Sequence, residues 1–428
     1  MKEELLHFIW KYKLFDVLHL QTTDGDPIEI IHTGVHNKNA GPDFFNARLK
    51  IGKTIWAGNV EIHQQASDWN KHHHTNDKLY DNVILHVVYK NDCQVKNTAG
   101  YLIPTLDISQ YIQPQLLNRY QLLSENDHYF ACDALIGSID SFTFDNWLDR
   151  LIVERLEEKA VIIETELDLT IQNWEETFYR LMARSFGFHV NAETFLLLAR
   201  SISSIIYAKH KTNLLQLEAL LFGQGGFLSD HFNDPYFLSL KKEYAFLQKK
   251  YSLSPIDNYL WKFLRLRPSN FPTIRISQFA ALIYKSSHLF SRIIESNSLK
   301  ELEELFAVEA NDYWNAHYLF GKTTLSSQRK TLGKKSIFII LINVVIPFMF
   351  VYGKKMGDET LATKALNLLQ TIKSEQNLIV KQFAEVGIKS KNAADSQALL
   401  HLKTRYCDKK KCLTCAIGVK LLKKCYNE

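Results

Sequence analysis

The chain has 428 residues, 46% of them hydrophobic and 23% charged, with 51 Lys and Arg against 46 Asp and Glu for a formal net charge of +5. That length exceeds what one simple core serves, so two or three domains are expected, and the ordinary composition excludes a largely disordered chain. The mild basic excess permits nucleic-acid binding without requiring it.

Residues 2–20 read as an amphipathic helix. Their opening, MKEELLHFIWKYKLF, carries acids early and no small-residue cleavage site, which argues against a signal peptide. After the polar turn TTDGDP come short β-like runs at 28–32, 44–51, 54–63, 82–90 and 101–106, punctuated by Gly34, Gly41, Gly52, Gly58 and Gly100. With a further helix near 109–125 they predict a compact α/β domain over 1–135. From 136 the period changes: apolar stretches recur at helical spacing over 143–167, 174–186, 191–208, 213–223, 238–250, 275–290, 336–352, 359–373 and 376–386. This predicts a helical domain over 136–391, without a fixed-period repeat. Residues 392–428 read as a helix followed by a basic, Cys-containing knot. The fold class expected is therefore α+β: a small mixed-sheet domain, a large all-helical domain and a C-terminal Cys metal knot.

The uncharged run SIFIILINVVIPFMFVYG at 336–353 is bracketed by lysines. It sits at the lower edge of the ~17–25 residues that a membrane span needs, and it carries Asn343 and Pro347. It reads as a central core helix, with no membrane partner. Six cysteines, three of them between 407 and 415, point to a reducing compartment, hence a cytoplasmic location, and to metal rather than disulfides.

The densest chemistry lies between Ala40 and Tyr89. Asp43 follows Gly-Pro and precedes a strand-like run; Glu61 lies inside WAGNVEIH. Alternation along a strand places Glu61 and His63 on one face, about 6–7 Å apart. An Asp43 on the neighbouring strand would then face them across one hard cation, Mg²⁺ or Mn²⁺, with His63 beside the attacking water as positioning group or base. The plainer reading has Asp43 capping a turn and Glu61 paired with an arginine such as Arg48.

The run Pro42-Asp43 … Glu61-Ile62-His63 resembles the PD-(D/E)XK nuclease superfamily, and so does the order helix, hairpin strands, acid-bearing strand, helix, strand. His63 stands where that superfamily usually has Lys. The resemblance implies a nuclease fold over about residues 1–110 and Asp43 and Glu61 as metal-holding acids. More widely, GPDF…GNVEIH…SDW…VILHVVY, LFGQGGFL (221–228), RPSNFPTIR (267–275), NVVIPFMFVYG (343–353) and YCDKKKCLTCAIG (406–418) are similar to a family of uncharacterised bacterial proteins, a domain of unknown function. That likeness covers nearly the whole chain and brings no established activity.

Histidines crowd the same stretch: His36, His63, His72, His73, His74 and His86. His72, His74 and Asp77 would make a Zn²⁺ site with His63 or His86, if the chain is extended there; on a helix His72 and His74 point about 200° apart. A polar loop over the cleft is the alternative. His86, inside the apolar run VILHVV, reads as a supporting group on the strand beside Glu61.

At the other end, Cys407, Cys412 and Cys415 follow C-x₄-C-x₂-C, a spacing suited to Zn²⁺ or an iron–sulfur cluster, the plainer reading being three free thiols in a reduced protein. A fourth ligand would come from His401, Cys132 or elsewhere, since Cys425 on the same helix would lie ~15 Å beyond Cys415. Arg267 and Arg275 sit on a Pro-bound loop that either ties two helices together or reaches phosphates. Arg180 and Arg184, one helical turn apart, line a groove or pair with Glu175 and Glu176.

Together these features predict a metal-dependent nuclease acting on DNA or RNA. The alternative is a protein that binds nucleic acid or ribonucleoprotein without turnover on a degenerate nuclease scaffold. A zinc hydrolase built on His72, His74 and Asp77 is a third reading.

Overall fold

The computed structural model describes residues 2–286 and 288–427. By packing, the chain forms two compact units rather than three successive segments. The first comprises Met1–Trp147, Gln382–Ile388 and Leu400–Glu428, the second Leu148–Lys381 and Lys389–Leu399. The cysteine-bearing C-terminus therefore belongs to the N-terminal unit.

In the first unit, α1 (Glu3–Tyr12) buries Leu5, Leu6, Phe8, Ile9 and Trp10 and stops at Lys13, whose φ of 51° is left-handed. It is shorter than the 2–20 expected, because the left-handed residue breaks the helical hydrogen-bond ladder. The sheet holds β1 (Ile28–His32), β2 (Val35–His36), β3 (Phe44–Ile51), β4 (Thr54–Gln65), β5 (Val83–Lys90) and β6 (Thr105–Asp107). Its order is β1-β3-β4-β5-β6, with β2 on β3. β1–β3 and β3–β4 pair antiparallel, β4–β5 and β5–β6 parallel. The expected strand at 101–106 contracts to the last three-residue strand.

A two-residue turn, with Gly52 at φ 60°, suffices between the antiparallel β3 and β4. The parallel β4–β5 pair needs a crossover, and residues 66–82 supply it with α2 (Asp68–Lys71) and two 3₁₀ turns. Along β4, Val60 and Ile62 join the core with Leu5, Ile9, Phe44, Leu85 and Val87. Glu61 and His63 point to the opposite face, where Trp69 packs with Val83, Val95 and Ile103.

The helix α3 (Pro114–Glu125) adds Leu116 and Leu123 to the main core, and the C-terminal helix Ala416–Asn427 adds Leu422.

The second unit is mainly helical. Glu166, buried at 3% exposure, receives Arg180 at 3.1 Å and Arg200, and Arg180 also meets Glu176 at 2.8 Å. The expected helix at 191–208 is broken into Ala192–Ser201 and Ser204–His210, with Ser203 capping the second piece. The unit is not wholly helical: His317–Leu319 and Lys322–Thr323 form a small hairpin. The helix Lys334–Met356 is long and apolar enough to cross a membrane, yet 67% of its most apolar stretch is buried within the protein, as in a core helix. Its middle, Leu341–Val345, widens into a π-turn next to Pro347, which has no N–H to continue the ladder. Lys159 Nζ accordingly reaches the Ile342 carbonyl at 3.2 Å.

One close approach holds β4 to β5. A Cβ on Gly58 would lie 2.4 Å from Ile84 Cγ2 and 2.6 Å from the Asn82 carbonyl oxygen. Gly58→Val should therefore force the parallel strands apart and lower the urea unfolding free energy by about 1–3 kcal/mol; an unchanged midpoint would show that the strands do not pack this closely.

Candidate metal centre

The loop before β3 is organised by one side chain. Asn37 donates from its amide to the carbonyls of Asn39, Ala40 and Pro42 at 2.9, 3.2 and 3.1 Å, and its own N–H donates to the Asp43 carbonyl at 2.7 Å. This cage delivers Asp43 to the end of β3, where the Phe44–Val60 register sets it opposite Glu61. The two acids then lock reciprocally: the Asp43 N–H donates to Glu61 Oε2 at 3.1 Å, and the Ile62 N–H donates to Asp43 Oδ2 at 2.9 Å. A bulge centred on Asn46, at φ 56°, bends β3 just beyond this contact.

The crossover brings the imidazoles. His72 ends α2, His73 turns left-handed at φ 63°, and His74 starts a 3₁₀ turn. This is neither the extended nor the helical chain considered from sequence. The left-handed residue reverses the backbone between the two histidines, so both side chains reach His63. The ligating nitrogens of His63, His72 and His74 all lie within 4.8 Å of one another. His63 Nε2 is 3.1 Å from His72 Nδ1. Glu61 Oε1 lies 3.5 Å from His63 Nε2 and 3.3 Å from His74 Nε2. Separations near 3.3 Å are the edges of a tetrahedron of donors about 2.0–2.1 Å from one ion.

A supporting layer fixes these groups. His86 pairs with Glu61 in the parallel register, and its Nε2 meets His63 Nδ1 at 2.8 Å. With the His63 Nδ1–H as donor in that contact, the His63 Nε2 lone pair is left for a cation. The His74 ring stacks on Tyr80 at 3.7 Å, and Trp69 packs edge-on to His74 at 5.3 Å. On the other side of the acids, His7 Nε2 of α1 lies 3.1 Å from Asp43 Oδ2 and 3.8 Å from Glu3.

Burial sets the protonation states. Glu61 is 5% exposed, His63 1% and His86 fully buried. Desolvation, then the Asp43 charge, pushes the Glu61 carboxyl up to about 9. Desolvation and the neighbouring imidazoles push His63 down to about 2 and His86 to about 3. His74 is lowered chiefly by burial. His7 moves the other way: burial opposes its charge, but the hydrogen bond and charge of Asp43 outweigh it and raise its pKa. Metal-free, the cluster thus holds a protonated Glu61 carboxyl beside neutral His63 and His86 imidazoles, and a divalent cation taking the place of the Glu61 proton would be met by nitrogen and oxygen donors. Imidazoles with a carboxylate suit zinc, manganese or iron better than magnesium, which prefers oxygen.

The structure thus brings together Asp43, Glu61, His63, His72, His74 and His86. Glu61 makes no pair with Arg48, which is exposed on β3. Asp77 is drawn instead into a cap, accepting the Leu79 N–H at 2.9 Å. Of the four arginines considered for phosphate contact, three are engaged within the helical unit instead. Arg275 is buried and bonded to Gln278, Asn270 and Ser336, its guanidinium over the Phe188 ring. Arg180 holds Glu166 and Glu176, and Arg184 pairs with Glu193 at 2.6 Å. Arg267 is exposed at the start of a 3₁₀ turn.

Sequence reasoning missed Glu3, His7, Trp69 and Tyr80. The i, i+4 spacing of Glu3 and His7 on α1 was the available signal, but only the tertiary fold shows that this helix end abuts Asp43.

The chain belongs to the DUF2851 family of proteins of unknown function, whose model matches residues 3–378. The match takes in the phrases at 221–228, 267–275 and 343–353 and ends before the cysteine phrase at 406–418. No curated protein and no solved structure matches the chain.

The Glu61 carboxyl carries a pH signature. Its pKa is raised in the folded state from 4.5 to about 9, so the metal-free native protein binds more protons than the unfolded chain between those values and loses stability as pH rises through them. Glu61→Gln removes that loss. In chelator-treated protein its melting temperature should gain on the parent between pH 5 and pH 8, by the equivalent of about 1–3 kcal/mol. A difference that stays flat across that range would place Glu61 in water rather than in the buried cluster.

Proposed function

We propose that this protein is a metal-dependent hydrolase of phosphodiester bonds in nucleic acid. The observation that carries the reading is the convergence of Glu61 with His63, His72 and His74 beside Asp43. The order of elements supports it: a helix, an antiparallel pair bearing the acids, a crossover and a parallel strand resemble the PD-(D/E)XK arrangement.

Glu61, His63, His72 and His74 would hold the cation. When bound, a divalent cation supplies Lewis-acid charge to a phosphoryl oxygen and makes water more acidic. The residues divide the remaining work. His86 fixes the His63 ring and its tautomer. Tyr80 and Trp69 clamp His74. Asp43 holds His7 in orientation and favours its protonated form, which suits His7 to pass a proton to the leaving oxygen. Exposed Lys11 and Lys38 lie close enough to His36 to lower its pKa, and they give the rim beside His7 a positive charge fit for a phosphate backbone. His63 thus serves this reading as a ligand rather than as the water-positioning base expected from sequence, which also accounts for the missing Lys.

Two measurements test the assignment. Purified protein should cleave DNA or RNA with Mn²⁺ or Zn²⁺ better than with Mg²⁺, and Glu61→Gln or His74→Ala should lower the rate by more than about 100-fold. Salt-sensitive binding to nucleic acid without cleavage under any of these ions would favour the non-catalytic alternative.

His7→Ala should separate chemistry from metal uptake. It should cut kcat by about 10²-fold while isothermal titration shows Mn²⁺ bound as in the parent. Loss of binding and rate together would make His7 a ligand instead.

A further inference from the structure

A second cluster of metal-ligating groups lies in the first unit, away from the acids. Leu402–Cys407 is a wide π-helical segment, after which the chain turns repeatedly up to 415. The Cys407 carbonyl accepts the Lys410 N–H at 3.0 Å and the Tyr406 carbonyl the Lys411 N–H at 2.9 Å, with Lys410 left-handed at φ 48°. The Lys411 carbonyl then accepts the Cys415 N–H at 3.0 Å. Cys415, 7% exposed, stands at the head of the C-terminal helix, where burial raises its pKa to about 11 against the backbone N–H groups of Gly418 and Ile417, which favour charge on its sulfur. A Cβ on Gly418 would lie 2.2 Å from the Cys412 carbonyl oxygen, so a glycine lets the Cys412 turn press against that helix.

Cys132 arrives from far earlier in the chain. Its carbonyl accepts the N–H groups of Leu135 and Ile136 at 2.9 and 2.8 Å, which makes a tight turn of its own. Two contacts fasten this turn's neighbourhood to the cysteine loop. Lys410 Nζ donates to the Ser124 carbonyl and to Asp127 Oδ1, both at 3.0 Å, and Lys403 Nζ sits 4.0 Å from the centre of the Tyr129 ring. Cys132 lies within electrostatic reach of Cys412 and Cys415, and Cys407 within reach of all three. All four are free thiols. Position 425 rides the same helix ten residues past Cys415, about 15 Å along its axis.

We infer that Cys132, Cys407, Cys412 and Cys415 bind one soft-metal centre through four thiolates. It ties residues 407–415 to the turn at 132 and so closes the C-terminal segment onto the N-terminal unit. Sulfur-only donors select zinc or an iron–sulfur cluster and reject magnesium and calcium. Each thiol releases its proton to solvent as it ligates, and the backbone N–H donors at Cys415 offset the charge left on its sulfur. The site is independent of the histidine cluster and of the proposed hydrolysis.

The test uses the full chain purified without oxygen. Metal and sulfide analysis should find one zinc, or iron with inorganic sulfide and its visible absorbance, that is lost in Cys132→Ser and Cys412→Ser. The same metal should persist in a His72→Ala/His74→Ala double variant, which removes only the histidine site. Parent protein without such metal, or Cys132→Ser protein that keeps the parental amount, overturns the inference. Should the serine variants prove insoluble, alkylation of the parent decides: the four thiols should be protected until a chelator is added, and labelling at Cys132, Cys407, Cys412 and Cys415 that is equal with and without chelator overturns it.

Discussion

The parallel pairing of β4 with β5 is the constraint from which the candidate centre follows. An antiparallel partner would need only a short turn, whereas parallel strands demand a crossover. Here that crossover, residues 66–82, is the segment that carries His72 and His74 back over the face bearing Glu61 and His63. The same pairing sets His86 beside Glu61 in register. One topological choice thus brings four histidines and an acid to one place, and Gly58 permits it by letting the strands meet without a side chain between them.

The energetics of that place are unusual for a structural core. A carboxyl and three imidazoles sit with little solvent, and the two best-buried imidazoles are held neutral. Polar burial of this kind costs free energy unless partners or ions compensate it. On the far side of the acids the balance reverses, since Asp43 keeps His7 more basic than usual. Two neighbouring carboxyls therefore occupy different roles by environment alone. One faces neutral imidazoles and the other an imidazole whose protonated form it favours.

The second unit uses its charges differently. Glu166 with Arg180 and Arg200, and Arg275 with Asn270 and Gln278, are consumed inside the helical packing. These cations support the helices rather than a phosphate. In the first unit, exposed Lys11 and Lys38 lie near His36 and lower its pKa.

Much of this was legible in the chain. The strands at 28–32 and 44–51, most helices past 140, the pairing of Asp43 with Glu61 and the shared face of Glu61 and His63 follow from period-2 and period-3.6 patterns and from turn residues, which act locally. What the chain alone left open were the long-range matters. The left-handed turn at His73 gathers His72 and His74, α1 brings Glu3 and His7 to Asp43, Asp77 is taken as a cap, and Arg275 turns inward. Each depends on which surfaces meet once the sheet and its crossover close, and residue spacing encodes no such distance. Local hydrogen bonding and side-chain alternation are written in the sequence; convergence of groups tens of residues apart is decided by packing.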